Sequence, residues 1–250
     1  MTNTDLTKRP VVFIHGAWHG GWCWDRWNTI FKREHYANTI AVELRGHGYK
    51  TGSFKHARLE NYVDDVKTII NELETEPILV GHSLGCTIIQ YLCSQKQFPA
   101  AVMLAPVPAP KMFRRVFLHQ ISRHPFMSLR STMTRTMKPW VTSKSSAKLF
   151  FSSSMPTQEA EAYTNRMQGE SFRLFILDLL RSTPKVKPGT PTLVVAAQAD
   201  RFFKVADQRR MAQNLDADFL LARNSGHDVM LDVASQETAE EVIAWLNASV

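Results

Sequence analysis

Apolar residues in this chain follow two rhythms. Short unbroken runs alternate with longer stretches in which apolar positions recur every three or four residues. The runs are Val11-Val12-Phe13-Ile14, Thr39-Ile40-Ala41-Val42, Pro77-Ile78-Leu79-Val80, Ala101-Val102-Met103-Leu104, Pro191-Thr192-Leu193-Val194-Val195-Ala196-Ala197 and Asp218-Phe219-Leu220-Leu221-Ala222. Unbroken apolar runs suit strands covered on both faces. The helical period appears over residues 24–35, over 59–74 and over 206–214. In the second of these, Tyr62, Val63, Val66, Ile69, Ile70 and Leu73 share one face. A further helix is expected through Cys86-Thr87-Ile88-Ile89-Gln90-Tyr91-Leu92, and a last one from Ser235 to about residue 246, with Ser235 as N-cap and Glu237 in the first turn. Strand–helix alternation of this kind predicts an α/β fold with a mostly parallel sheet flanked by helices.

The alternation breaks after the fourth run. About ninety residues separate it from the fifth, far more than one crossover helix needs. Residues 111–187 are therefore expected to form a helical insertion, a cap, with 1–110 and 188–250 as the core. Inside it, residues 171–180 place Phe172, Phe175, Ile176, Leu179 and Leu180 on one helical face, and 111–120 carry Met112, Phe113, Val116 and Phe117. The insertion should turn an apolar underside toward the core.

One pentapeptide stands out against this frame. Gly81-His82-Ser83-Leu84-Gly85 lies between a strand and a helix. A serine at such a turn is lifted above the sheet edge, with small residues on either side where a Cβ would clash. Its hydroxyl is a weak nucleophile and needs a base, which a carboxylate must hold in one tautomer. The order Ser, acid, His is met by Asp200 and His227, each just past the end of a strand run. Other acids fit less well. The fourth run ends in Ala105-Pro106-Val107-Pro108 with no carboxylate, Asp207 falls inside the following helix, and Asp228 and Asp232 are too close to His227 in sequence. The amides of Ala17, after Gly16, and of Leu84 are the expected oxyanion donors. His15 and His82 are expected to order their loops rather than to react.

These motifs together resemble the α/β-hydrolases: a strand ending in His15-Gly16, the Ser83 pentapeptide, the Asp200 and His227 pair, and Arg45-Gly46-His47-Gly48 after the second strand. The segment His15-Gly16-Ala17-Trp18-His19-Gly20-Gly21-Trp22-Cys23-Trp24 is similar to that of small esterases related to plant methyl esterases and hydroxynitrile lyases. The pentapeptide and the Arg45 turn also resemble lysophospholipases and monoglyceride lipases. The resemblance implies a serine ester hydrolase acting through Ser83, His227 and Asp200 on a small-molecule ester with an apolar acyl or alcohol part. It also leaves open a lyase, a cofactor-free oxygenase or a non-catalytic binding protein on the same scaffold. The lyases typically carry Thr at the place of Gly16 and Glu at that of His82, and here both positions are esterase-like.

Composition narrows the setting. At 250 residues and 44% hydrophobic content, the chain fits one domain with an insertion, or at most two. No apolar run approaches a membrane span. Residues 1–10 are polar and lack the apolar stretch of a secretory signal. Cys23, Cys86 and Cys93 are odd in number and lack framework spacing, which points to a reducing cytoplasm. No C-x-x-C or histidine cluster argues for zinc, and no cofactor or metal is expected. Charge is uneven. Residues 111–187 hold 14 Lys and Arg against 4 Asp and Glu, a net of +10, while the rest of the chain nets −3. Three readings of that basic segment stay open: peripheral contact with anionic lipid, steering of an anionic substrate, or a solvated surface with no partner. No nucleic-acid-binding motif accompanies the charge.

Overall fold

The computed structural model describes residues 6–36, 38–142, 146–181 and 186–249. Six parallel strands form one sheet in the order β2-β1-β3-β4-β5-β6. They are β1 (Val11–Ile14), β2 (Thr39–Val42), β3 (Ile78–His82), β4 (Ala101–Leu104), β5 (Thr192–Ala197) and β6 (Asp218–Ala222). Every residue of β1, β3, β4 and β5 is buried, which is why those runs carry no polar alternation. The edge strands β2 and β6 are only partly covered.

The core helices are α1 (Asp25–Arg33), α2 (Leu59–Asn71) and α3 (Leu84–Cys93), and later α8 (Val205–Leu215) and α9 (Ser235–Ala248). The first and last pack together. Trp27 Nε1–H donates to Ser235 Oγ at 3.1 Å and Tyr36 Oη–H to Asn247 at 2.9 Å. Helix α1 is shorter than its period suggested: Trp24 belongs to a 3-10 turn ahead of it, and at the other end it stops at Arg33, with His35 at φ 69°. Helix α2 stops at Asn71. Ser235 is the first helical residue of α9 rather than its cap. Its hydroxyl donates to Met230 O at 2.7 Å and accepts from Trp27, and these tertiary bonds outweigh the local capping geometry.

Between β4 and β5 lie α4 (Pro110–Arg123), α5 (Pro125–Thr134), α6 (Ala147–Phe150) and α7 (Thr157–Arg166). Pro110 and Pro125 open their helices at positions where the missing N–H costs nothing. Residues 143–145 and 182–185 of the expected insertion lie outside the described residues. The helix expected over 171–180 is wound over Leu174–Asp178 as a π turn, with Leu179 N–H donating to Leu174 O. Asp178 in this turn accepts from Arg58 and, at 2.9 Å, from Leu59 N–H at the start of α2. Those bonds tie the insertion to the core, and periodicity does not encode them.

Candidate active site

The strand order reverses between β1 and β3, so the chain leaving these two strands diverges and opens a crevice at their carboxyl ends. His15 to Ala17 leave β1 there, and Ser83 leaves β3. Ser83 has φ 50° and ψ −108°, a strained backbone for a residue with a side chain. Close packing enforces it. A Cβ on Gly85 would sit 2.2 Å from Ile14 O, and one on Gly81 would sit 2.8 Å from the carbonyl carbon of Gly85. Strand and helix can approach this closely only with glycine at both positions. The Ser83 N–H is anchored on Leu104 O at 2.9 Å.

The three predicted side chains meet. His227 Nε2 lies 3.1 Å from Ser83 Oγ, and His227 Nδ1 lies 2.9 Å from Asp200 Oδ2. With Nδ1–H donating to the carboxylate, Nε2 is left to accept the serine proton. Asp200 is itself held, since Oδ1 accepts the N–H groups of Phe202 and Phe203 at 2.8 and 3.0 Å. Burial pushes the His227 imidazole down, but the charge and hydrogen bond of Asp200, with a smaller push from Asp228, leave it above its ordinary value. Phe202, Phe203 and His82 ring the imidazole at centroid distances of 4.9, 5.4 and 4.9 Å.

The loop carrying His227 is braced from several sides. Asp232 accepts from Gly226 N–H and from Ser152 N–H, both at 2.7 Å, and from the Ser152 hydroxyl at 2.8 Å. Asp228 N–H donates to Phe150 O. His82 Nε2–H donates to His227 O at 3.0 Å. His19 joins this loop to the β1 loop, with Nδ1 2.8 Å from Ala17 O and Nε2 3.0 Å from Asp228 Oδ2. His19, His82 and Asp228 thus bring ligand-type atoms within 4.8 Å of one another. The hydrogen bonds just given employ both ring nitrogens of His19, Nε2 of His82 and Oδ2 of Asp228, which brace the two loops, while His82 Nδ1 and Asp228 Oδ1 meet no hydrogen-bond partner among the described residues.

Ser83, His227, Ala17 and Leu84 border one cavity of about 590 Å³, its open mouth included. Among the described residues, the N–H groups of Ala17 and Leu84 meet no hydrogen-bond acceptor. The remaining walls are carbon, from Trp18, Phe113, Phe117, Met137 and Phe175 among others, and Gln120 is a polar exception. Most of these come from the insertion. The whole of this geometry sits on a sequence that a model of the Alpha/beta hydrolase family matches over residues 11–241.

The chain belongs to the alpha/beta hydrolase family. Methylesterase 18 of Arabidopsis thaliana is 32% identical over 114 residues, 44% of this chain and 41% of that protein. A pyrethroid hydrolase of Sphingobium wenxiniae is 29% identical over 116 residues, 43% of this chain and 41% of that protein. The chain thus spans about two fifths of the length of these curated relatives. Among solved structures, the monoacylglycerol lipase of Paleococcus ferrophilus superposes with a TM-score of 0.71 at 18% identity, over 97% of this chain and 96% of that one. The methylesterase MES16 of Arabidopsis superposes at 0.66 and 17% identity, over 95% and 98%. At such identities the likeness speaks for the alpha/beta hydrolase fold.

Other motif residues of this alpha/beta hydrolase take structural places. His15 Nδ1–H donates to Gly16 O at 2.8 Å and its Nε2 accepts from Leu44 N–H at 3.3 Å. Burial first, then the neighbouring His47, holds that ring well below its ordinary value. Burial and then His227 do the same to His82. Arg45 grips Asp65 through Nε and a terminal nitrogen, each at 3.0 Å. His47 Nε2 lies 3.3 Å from Glu170 Oε2, and Tyr62 Oη–H donates to Glu170 Oε1 at 2.6 Å. Glu170, a fully buried carboxylate from the insertion, left no sequence signal. The role of His19 was open to detection, as the second histidine of the His15 segment.

Proposed function

We propose that this protein hydrolyses a carboxylic ester with an apolar acyl or alcohol part, through an acyl-enzyme on Ser83. The observation that carries the reading is the unbroken chain Ser83 Oγ, His227, Asp200, set at a strained turn under an apolar cavity.

In this reading Ser83 Oγ attacks the acyl carbon while its proton passes to His227 Nε2. Asp200 holds the ring and stabilises the imidazolium. The carbonyl oxygen takes up the electron pair and is met by the free N–H groups of Ala17 and Leu84. Each such donor is worth about 3 kcal/mol in comparable sites. The pair returns, the bond from acyl carbon to alcohol oxygen breaks, and His227 protonates the leaving oxygen. Water then gives a proton to His227 and adds to the acyl carbon. Ser83 Oγ departs and regains the proton, releasing the acid. The carbon-lined walls favour an apolar ester over a charged one. The relatives named methylesterase and monoacylglycerol lipase are in keeping with an ester substrate.

The test is a chain-length series of p-nitrophenyl esters, run beside covalent labelling with a fluorophosphonate. Wild type should turn over and label at Ser83. Ser83→Ala should lose label and about 10⁴- to 10⁶-fold of kcat. Wild-type turnover by Ser83→Ala, or tight ester binding with neither turnover nor label, would overturn the reading.

A further inference from the structure

Helix α4, which lines the cavity, has a second face, and α5 follows it directly in the chain. On α4, Phe113, Val116, Phe117 and Gln120 look inward onto the cavity. Its outer side and α5 leave large apolar side chains in solvent: Leu118 is 57% exposed, Phe126 86%, Leu129 59% and Met133 76%. Phe126, Leu129 and Met133 fall at helical spacing on a single stripe of α5. These four are most of the exposed large apolar side chains among the described residues, so the exposure is concentrated and not the ordinary scatter of a protein surface.

The charge around them has one sign. Arg114, Arg115, Arg123, Arg130, Arg135 and Lys138 are all exposed. Among the described residues none of them forms a salt bridge. Residues 77–158 contain no Asp or Glu, so no carboxylate of this segment neutralises them. Protruding apolar side chains amid uncompensated basic ones complement a surface that is anionic at its plane and apolar beneath it.

We propose that α4 and α5 dock this protein on anionic lipid bilayers, with Phe126, Leu129 and Met133 entering the acyl boundary and the arginines meeting the headgroups. Docking in this pose lays the outer side of α4 against the bilayer while its inner side faces Ser83. The cavity is thereby held one helix away from a reservoir of apolar esters. The attachment itself does not depend on the hydrolase reading.

Sedimentation with vesicles tests it, using the Ser83→Ala protein so that no lipid is cleaved. Phosphatidylcholine vesicles containing phosphatidylglycerol are compared with pure phosphatidylcholine, at low and at high salt. The protein should pellet with the anionic vesicles and stay in solution with the neutral ones, and salt should release it. Phe126→Ser with Met133→Ser should weaken binding roughly tenfold or more, given the apolar area withdrawn. Arg123→Glu with Arg130→Glu should weaken it by roughly fivefold or more for each charge lost. In the Ser83 background all four substitutions should leave turnover of a soluble p-nitrophenyl ester unchanged, which shows that the variants fold. No pelleting with anionic vesicles, equal pelleting with neutral ones, or variants that bind like the parent would each overturn the proposal. So would a concentration-dependent dimer abolished by Phe126→Ser, since the face would then belong to a second copy.

Discussion

Gly85→Ala adds a single methyl group at the tightest contact of the candidate site. An ideal Cβ there meets Ile14 O at 2.2 Å, Ile14 C at 3.0 Å and His15 O at 3.1 Å. All three are backbone atoms, so no side chain can rotate aside. Ordinary contact begins near 3.4 Å, so α3 must withdraw from the end of β1 by about 1 Å. Overpacking of this kind costs about 1–3 kcal/mol of stability, or about 2–4 °C of Tm for each kcal/mol in a chain of this size. The effect on rate should be larger than that suggests. The end of β1 leads to the Ala17 amide and α3 begins at the Leu84 amide, so the same withdrawal widens the gap between the two proposed oxyanion donors. A displacement of about 1 Å in such a site can cost about 100-fold. Urea unfolding and kcat on p-nitrophenyl butyrate, measured on one preparation, separate the two effects. KM should change little, because the cavity walls come mainly from other elements. Gly81→Ala, whose Cβ would meet its nearest neighbours at 2.8 Å, should be milder on both counts. If Gly85→Ala keeps both the unfolding midpoint and kcat of the wild type, the elbow does not set the oxyanion geometry and this reasoning fails.

Three further outcomes can be checked. The acid limb of kcat/KM should fall above the ordinary imidazole value of 6.5, since His227 must be neutral to accept a proton and Asp200 raises it; Asp200→Asn should move the limb down and cost roughly 10⁴-fold in kcat, and an unmoved limb would separate Asp200 from the base. Glu170→Gln should destabilise by about 3 kcal/mol at acid pH, since it strips the charge opposed to buried His47. His47 is pushed down by burial and raised overall by Glu170, so its stabilising contribution is full below the unfolded value and fades as pH rises through the folded one; the gap between wild type and Glu170→Gln in urea melts should narrow over that rise, and a gap that widens would refute the assignment. Cys23, Cys86 and Cys93 are buried, and burial pushes the Cys93 thiol up to about 12. None should react with a disulfide reagent until the protein unfolds, and rapid native labelling would contradict that burial.

The candidate triad was legible because its members sit where local patterns end. Ser83, Asp200 and His227 each follow an apolar run, and parallel strands carry such run-ends to one sheet edge. The four central strands were legible because burial on both faces leaves no polar alternation in them. What stayed hidden depends on partners far away in sequence. Glu170 faces His47 and Tyr62, Asp178 reaches the first turn of α2, and Asp232 binds Ser152, 80 residues off. Such carboxylates read as ordinary solvated acids in a polar stretch. Ser235 misled for the same reason: its local context suits a cap, while a tryptophan 208 positions earlier in the chain takes its hydroxyl.

The bonds from Asp232 to Ser152, and from Asp228 to Phe150, blur the border between insertion and core. Residues 150–152 belong to the insertion by sequence but serve as scaffolding for the histidine loop. A chimera that transplants a foreign segment between β4 and β5 would therefore have to retain these three residues, or supply equivalents, to keep His227 on its serine. Diversification of this chain by segment exchange has its natural cut points on the α4–α5 side, clear of that scaffolding.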